Sequence, residues 1–129
     1  ANPVTMTAGL VTMTLFDKTS VANLNQLGDM ARTNISEAIR IADIPACVTG
    51  SGSMFRVHMK PEIPTTYRSA YMTAKESKII QALLDHIFDN GIIMINTCSG
   101  TLSTPMTEKE IEVLTETLLT GFRKIKKLF

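Results

Sequence analysis

Histidine and cysteine are the residue types here that could support acid–base, nucleophilic or metal chemistry, and the chain has two of each. His58 stands in a predicted strand and His86 in a predicted helix, with no carboxylate or histidine spacing that would join them in one site. Cys47 and Cys98 are too few for a disulfide framework, and their separation matches no zinc or redox motif. The sequence therefore predicts structural or solvent-exposed histidines, two reduced packing cysteines and no metal site.

Three charged or glycine-rich features have both a functional and a structural interpretation. Arg56 shares a predicted strand face with His58, where it could meet a carboxylate ligand or form a surface ion pair, and the sequence favours the ion pair. Gly50-Ser51-Gly52 precedes no helix with a Lys-Ser/Thr pair, which favours a turn between strands over a phosphate-binding loop. The basic cluster Lys124–Lys127 suits a solvated helix C-terminus better than a nucleic-acid contact.

The composition limits the kind of protein. With 129 residues, 44% of them hydrophobic and 19% charged, the chain has the length of one domain and enough apolar area to fold. A formal net charge of +1 gives no strong field for nucleic acid or acidic lipid. No apolar run is long enough to span a membrane and no signal peptide is recognisable, so we expect a cytoplasmic protein with neither kind of partner.

The N-terminal segment predicts a helix without a polar face. Asn2 is a good N-cap, Pro3 suits the first helical position, and the residues from there to Phe16 are almost uncharged. Such a helix must be covered on most sides, which indicates a piece of a larger protein. A second, amphipathic helix is predicted from its cap Ser20 to about Asp43.

The rest of the chain mixes strands and helices. The predicted strands are Ala46–Thr49, Met54–Met59 and Ile92–Asn96, with Thr101–Ser103 as a further candidate. Pro61–Arg68 is predicted to be a proline-broken loop. Two helices begin at capping boxes, which pair Thr73 with Glu76 and Thr107 with Glu110. This order predicts an α+β fold, with a small, mostly antiparallel sheet covered by helices on one face.

The helical periodicity also predicts the core. On the second helix the apolar face comprises Leu24, Leu27, Ala31, Ile35, Ala38, Ile39 and Ala42. On the helix that follows Thr73 it comprises Ile79, Ile80, Leu83, Leu84, Ile87 and Phe88, and on the last helix Ile111, Leu114, Leu118, Phe122 and Ile125. Gly28 interrupts the second helix and indicates either a close helix contact or a tolerated glycine.

Several motifs, in order along nearly the whole chain, resemble the C-terminal part of class III pyridoxal-phosphate-dependent aminotransferases. They are Asn2-Pro3-x-x-Met6-x-Ala8-Gly9-Leu10, Gly50-Ser51-Gly52-Ser53-Met54-Phe55, Asn90-Gly91-Ile92-Ile93-Met94 and the helix start Thr107-Glu108-Lys109-Glu110-Ile111. The chain is most similar to glutamate-1-semialdehyde aminomutases and beta-amino-acid aminotransferases. The resemblance implies a fold type I transferase, with a domain-junction helix at 1–17 and the small C-terminal domain at 18–129.

The same resemblance implies pyridoxal phosphate as cofactor and amino-group transfer between an amino acid or amine and a keto or aldehyde partner. In this family the lysine that forms the Schiff base lies upstream of the asparagine-proline element, in the large domain. This chain is therefore expected to lack it and to be inactive alone. Asn2 and Pro3 match the element whose preceding turn reaches the cofactor phosphate, so they are the candidate cofactor-binding residues.

The segment Asn96–Thr101 corresponds to the family loop that closes over the substrate, which makes Thr97, Cys98 and Ser99 candidate substrate-loop residues. Aminomutases have a glutamate-containing stretch and an alanine-histidine pair here, and this chain has neither. Some beta-amino-acid aminotransferases place an arginine here, yet no arginine occurs between Arg68 and Arg123. The continuation Leu102–Thr107 resembles the aminotransferase branch, and the choice between the two reactions stays open.

The resemblance implies two protein partners, the large domain and a second subunit of a homodimer, besides a small amino donor and acceptor. A second interpretation also fits the residues. The chain could be a free-standing, non-catalytic α+β module that binds a small ligand or mediates dimerisation.

Overall fold

The computed structural model describes residues 2–129. The helices are α1 (Pro3–Leu15), α2 (Lys18–Ala42), α3 (Tyr67–Ala70), α4 (Ala74–Asp89) and α5 (Glu108–Ile125), the last continued by a 3₁₀ turn at Lys126–Leu128. The strands are β1 (Cys47–Thr49), β2 (Met54–His58) and β3 (Ser99–Thr101). The predicted α+β fold with a small antiparallel sheet is confirmed.

Helix starts follow the local capping chemistry. The two predicted capping boxes, at Thr73 and Thr107, are both formed. The predicted N-cap of α2, Ser20, is wrong, because the N-cap is Asp17, three residues earlier. Its carboxylate accepts a hydrogen bond from the Ser20 amide, and this bond lowers the pKa of Asp17.

The sheet has the strand order β1-β2-β3, with both pairs antiparallel. The glycine turn at 50–52 joins β1 to β2 as predicted, but the third strand is not where the sequence placed it. The prediction of a strand at Ile92–Asn96 is wrong. The candidate strand Thr101–Ser103 is displaced by two residues, because the strand that pairs with β2 is Ser99–Thr101. Part of the predicted proline-broken loop forms the short helix α3.

One apolar core fills the space between the helices and one face of the sheet. Phe55 and Val57 of β2 point into it, and α2 packs on α5, β1 and β2, while α4 packs on α5. The predicted α5 face is wholly buried, as is that of α2 except for Leu27, which is only partly covered. On α4 the prediction fails for Phe88, which is 65% exposed, because it lies at the edge of the apolar stripe beside the helix end.

Gly28 marks a close approach of α2 to the turn between β1 and β2. A Cβ atom added at Gly28 would lie 1.9 Å from the carbonyl oxygen of Gly52. The Arg32 guanidinium, one turn further along α2, donates hydrogen bonds to the carbonyls of Gly52 (2.7 Å) and Met54 (2.8 Å). Gly28 is therefore not merely a tolerated glycine, and its close contact is with a turn rather than with another helix.

Helix α1 has the opposite character. None of its residues is buried, and its apolar side chains are open to solvent, with Val4 and Met13 both 76% exposed. The helix whose sequence lacks a polar face is thus also left uncovered by the other residues that the structure describes.

Candidate functional site

The two predicted cofactor-binding residues begin α1. The Asn2 side-chain oxygen accepts a hydrogen bond from the Val4 amide at 3.0 Å, and Pro3 occupies the first helical position, as predicted. Asn2 and Pro3 are both exposed, and the first turn of α1 carries no acidic residue. The helix end therefore has no carboxylate in its first turn that would repel an anion.

The predicted substrate loop is a tight turn before β3. Thr97 and Ser99 are brought together, with their hydroxyl oxygens 3.0 Å apart, and both are half-buried. Cys98 lies between them with a left-handed backbone (φ 55°), and its carbonyl accepts a hydrogen bond from the Val57 amide. This bond joins the loop to β2, the middle strand of the sheet.

Cys98 itself turns into the core. Its side chain is fully buried, and burial raises the pKa of the thiol to about 12, although the nearby charge of Arg56 opposes the rise. The thiol is therefore neutral at physiological pH and is not a nucleophile. Of the three predicted loop residues, Thr97 and Ser99 thus remain as groups that could face a ligand, whereas Cys98 packs. Both cysteines are free, as predicted.

A groove of about 500 Å³ lies beside this loop, and no sequence motif predicts it. Its walls are the segment 91–94, residues 100–102 and the first turns of α5, with Phe55 among the lining side chains. Residues 92–95 form no strand, and Ile93, which lines the groove, is 83% exposed. The continuous apolar run at 92–95 predicts a buried strand, so the sequence analysis did not expect these residues to line an open groove.

Both histidines have structural partners. His58 is buried and its Nε2 lies 2.9 Å from the Thr49 hydroxyl, while His86 Nε2 lies 3.0 Å from the Thr120 hydroxyl. Burial lowers the pKa of His58, and the positive charges of Arg56 and Lys60 lower it further. Within residues 2–129 no group of three or more His, Cys, Asp or Glu side chains is arranged to hold a metal ion.

The lowered pKa of His58 predicts a pH-dependent stability. The unfolded imidazole takes up a proton near pH 6.5 and the folded one only at lower pH, so stability is full above pH 6.5 and falls below it. We expect the urea midpoint of the chain to decrease between pH 7.5 and 5.5, a window above the titration of the carboxyl groups. The variant His58→Gln should flatten this dependence. A midpoint of the unaltered chain that is constant over this window would contradict the prediction.

The lysines are the remaining candidates for covalent chemistry. Seven of the eight are exposed. The eighth, Lys60, is half-buried and forms an ion pair with Glu76 at 2.7 Å. Burial raises the pKa of Glu76, but the hydrogen bonds from Lys60 and Thr73 outweigh it and lower the pKa overall. Lys60 therefore joins the loop after β2 to the start of α4.

Known proteins resemble the chain in both sequence and structure. No profile of a known protein family matches the sequence. A glutamate-1-semialdehyde 2,1-aminomutase from Methanothrix thermoacetophila is 32% identical over 75 residues, which are 58% of this chain and 17% of that protein. A second, from Macrococcus caseolyticus, is 26% identical over 113 residues, which are 86% of this chain and 26% of that protein.

The solved structures give more extensive matches. An omega-transaminase from Sphaerobacter thermophilus superposes with a TM-score of 0.93 at 31% identity, over 97% of this chain and 28% of that one. A transaminase with bound pyridoxal phosphate has a TM-score of 0.82 at 29% identity, over 98% of this chain and 28% of that one. The chain thus spans less than a third of each of these relatives. No helix of residues 2–129 is long and apolar enough to cross a membrane.

Proposed function

The resemblance to class III pyridoxal-phosphate-dependent aminotransferases and aminomutases is confirmed by these matches in sequence and fold, and from it we propose that the chain is the C-terminal small domain of such an enzyme. The complete protein would move an amino group between an amino acid or amine and a keto or aldehyde partner. The observation that carries this proposal is the superposition of nearly the whole chain on an omega-transaminase.

The lysines support the division of labour between this chain and the rest of the protein. Pyridoxal phosphate supplies the electron sink for amino transfer and is held through a lysine. Seven of the eight lysines here are exposed and Lys60 is paired with Glu76, so none occupies a secluded position suited to that role. The chain's own contribution is at the rim of the site, where Asn2 and Pro3 form a helix N-terminus without an acidic first turn.

The loop Thr97–Ser99 is proposed to border the substrate. Its two hydroxyl groups lie together, and the groove of about 500 Å³ begins at the next residues, Gly100 and Thr101. The loop has no charged side chain of its own. An aminotransferase accords better with this loop than an aminomutase, because the glutamate and the alanine-histidine pair of the aminomutases are both missing.

In the complete enzyme, α1 would lie at the junction between this domain and a large domain or second subunit, which would bury its apolar side chains. In the isolated chain we expect α1 to fray or to associate, because its apolar side chains have no internal partner. Amide hydrogen exchange should be fast in residues 4–16 and slow in residues 111–122, whose apolar side chains are buried. Slow exchange in 4–16 should appear only in samples that sediment as dimers. A strict monomer with equal protection in both segments would contradict the proposal and favour a complete, free-standing module.

The proposal that the Schiff-base lysine lies outside this chain is tested with the chain alone. After incubation with pyridoxal phosphate, borohydride reduction and removal of free cofactor, we expect no stoichiometric adduct at any one lysine and no amino transfer. Peptide mass spectrometry identifies the modified lysines, and Lys60→Arg controls for the half-buried one. A single stoichiometric adduct accompanied by turnover would show that the chain carries its own catalytic centre.

A further inference from the structure

Arg56 stands at the centre of the sheet, on the face opposite the main core. It belongs to the middle strand β2, and its register partners are Thr49 on β1 and Ser99 on β3. Directly paired residues of an antiparallel sheet project to the same face, so two hydroxyl side chains flank the guanidinium. The inward-facing neighbours Phe55 and Val57 fill the core on the other side.

The charge of Arg56 has no counterpart in the described chain. None of the four ion pairs within residues 2–129 involves it, and it makes no side-chain hydrogen bond there. Its Nε atom is shielded from solvent and has no hydrogen-bond partner. The sequence-based expectation of a surface ion pair is therefore wrong. The nearby titratable groups that follow Arg56 in the sequence, His58 and Lys60, offer no negative charge.

A half-buried guanidinium without a partner is costly, because arginine stays protonated and cannot remove its charge by titration. A carboxylate from outside can offset this charge at the two Nη groups, which are not among the shielded atoms, since the end of the planar guanidinium matches two carboxylate oxygens with two parallel hydrogen bonds. The Ser99 hydroxyl lies in register beside Arg56 and near the Thr97 hydroxyl, and it can donate a further bond. The neutral Cys98 thiol between them adds no competing negative charge.

We propose that Arg56, flanked by Ser99 and Thr49, binds a carboxylate group that residues 2–129 do not supply. The carboxylate has two sources with the same chemistry, a small free carboxylate or an aspartate or glutamate of another part of the protein. The site shares Ser99 with the proposed substrate loop, but acetate binding to the chain alone tests it without any amino-transfer activity.

The test is a titration of the ¹⁵N-labelled chain with sodium acetate, against sodium chloride at equal ionic strength. We expect saturable shifts of the Arg56 Nε–Hε signal and of the Ser99 and Thr49 amides with acetate only. Arg56→Gln should weaken acetate binding by about tenfold or more, and Arg56→Lys, which keeps the charge but loses the planar fork, by less. Absence of a saturable response in the unaltered chain would overturn the proposal.

Two further readouts complete the test. The urea midpoint of Arg56→Gln should equal or exceed that of the unaltered chain, because an uncompensated charge has been removed, and a clear decrease would show that Arg56 is satisfied internally and overturn the proposal. The same acetate titration of the protein from the complete reading frame separates the sources. A retained response identifies a free carboxylate, whereas a lost response identifies an aspartate or glutamate already seated on Arg56.

Discussion

Replacing Leu118 by alanine is expected to lower the free energy of unfolding by about 2 to 5 kcal/mol, since it removes buried methyl groups and leaves a cavity. Leu118 lies at the centre of the buried face of α5 and is fully buried. Leu83, on the facing helix α4, is also fully buried, and Leu83→Ala should have a loss of the same size. A loss of this size is a large part of the stability of a small domain, so either variant should show a much lower urea midpoint.

The matched control for these variants is Leu10→Ala on α1. Leu10 is 69% exposed, so the same substitution there should change stability by no more than about 0.5 kcal/mol. Equal midpoints for the unaltered chain, Leu118→Ala and Leu83→Ala would show that the α4 and α5 faces do not form the core.

Replacing Gly28 by alanine is the second large effect. In an exposed helix interior this change stabilises by up to about 1 kcal/mol, because alanine has the higher helix propensity. At Gly28 the new Cβ would meet the Gly52 carbonyl oxygen at 1.9 Å and its carbon at 2.9 Å, and both are backbone atoms that no rotamer change can move. We therefore expect a net loss of about 1 to 3 kcal/mol from overpacking. The midpoint of urea unfolding measures it.

Gly9→Ala provides the control, because a Cβ added at Gly9 of α1 meets nothing within 4 Å. This variant should leave the midpoint unchanged or raise it slightly, and should increase helical circular dichroism. The prediction for Gly28 is contradicted if Gly28→Ala is as stable as Gly9→Ala. In that case the turn at 50–52 yields to α2 without cost.

Local capping signals located the starts of α4 and α5, whereas the third strand, which depends on residues distant in sequence, was misplaced. Each of the capping boxes, which begin at Thr73 and Thr107, spans only four residues, so both helix starts could be found from the sequence. A strand depends on a partner that is distant in sequence. The apolar run at 92–95 has β-forming residues but no strand beside it in the described part of the chain, whereas the less apolar Ser99–Thr101 pairs with β2.

The candidate site shows the same division. The helix start at Asn2 and Pro3 could be predicted because a cap is a local hydrogen bond. The burial of Cys98 and the missing partner of Arg56 could not, since both result from how the loop before β3 folds against β2. The role of Asn2 and Pro3 in cofactor contact and that of Thr97–Ser99 in substrate contact remain predictions from the resemblance.

The most direct test of the proposed function is the position of the covalent cofactor in the protein expressed from the complete reading frame. Borohydride reduction followed by peptide mass spectrometry should place one equivalent of cofactor on a lysine N-terminal to Ala1, in a preparation that transfers an amino group from an amine donor to a keto acceptor. A reading frame that begins at this chain, or cofactor bound to one of the lysines within it, would contradict the proposal.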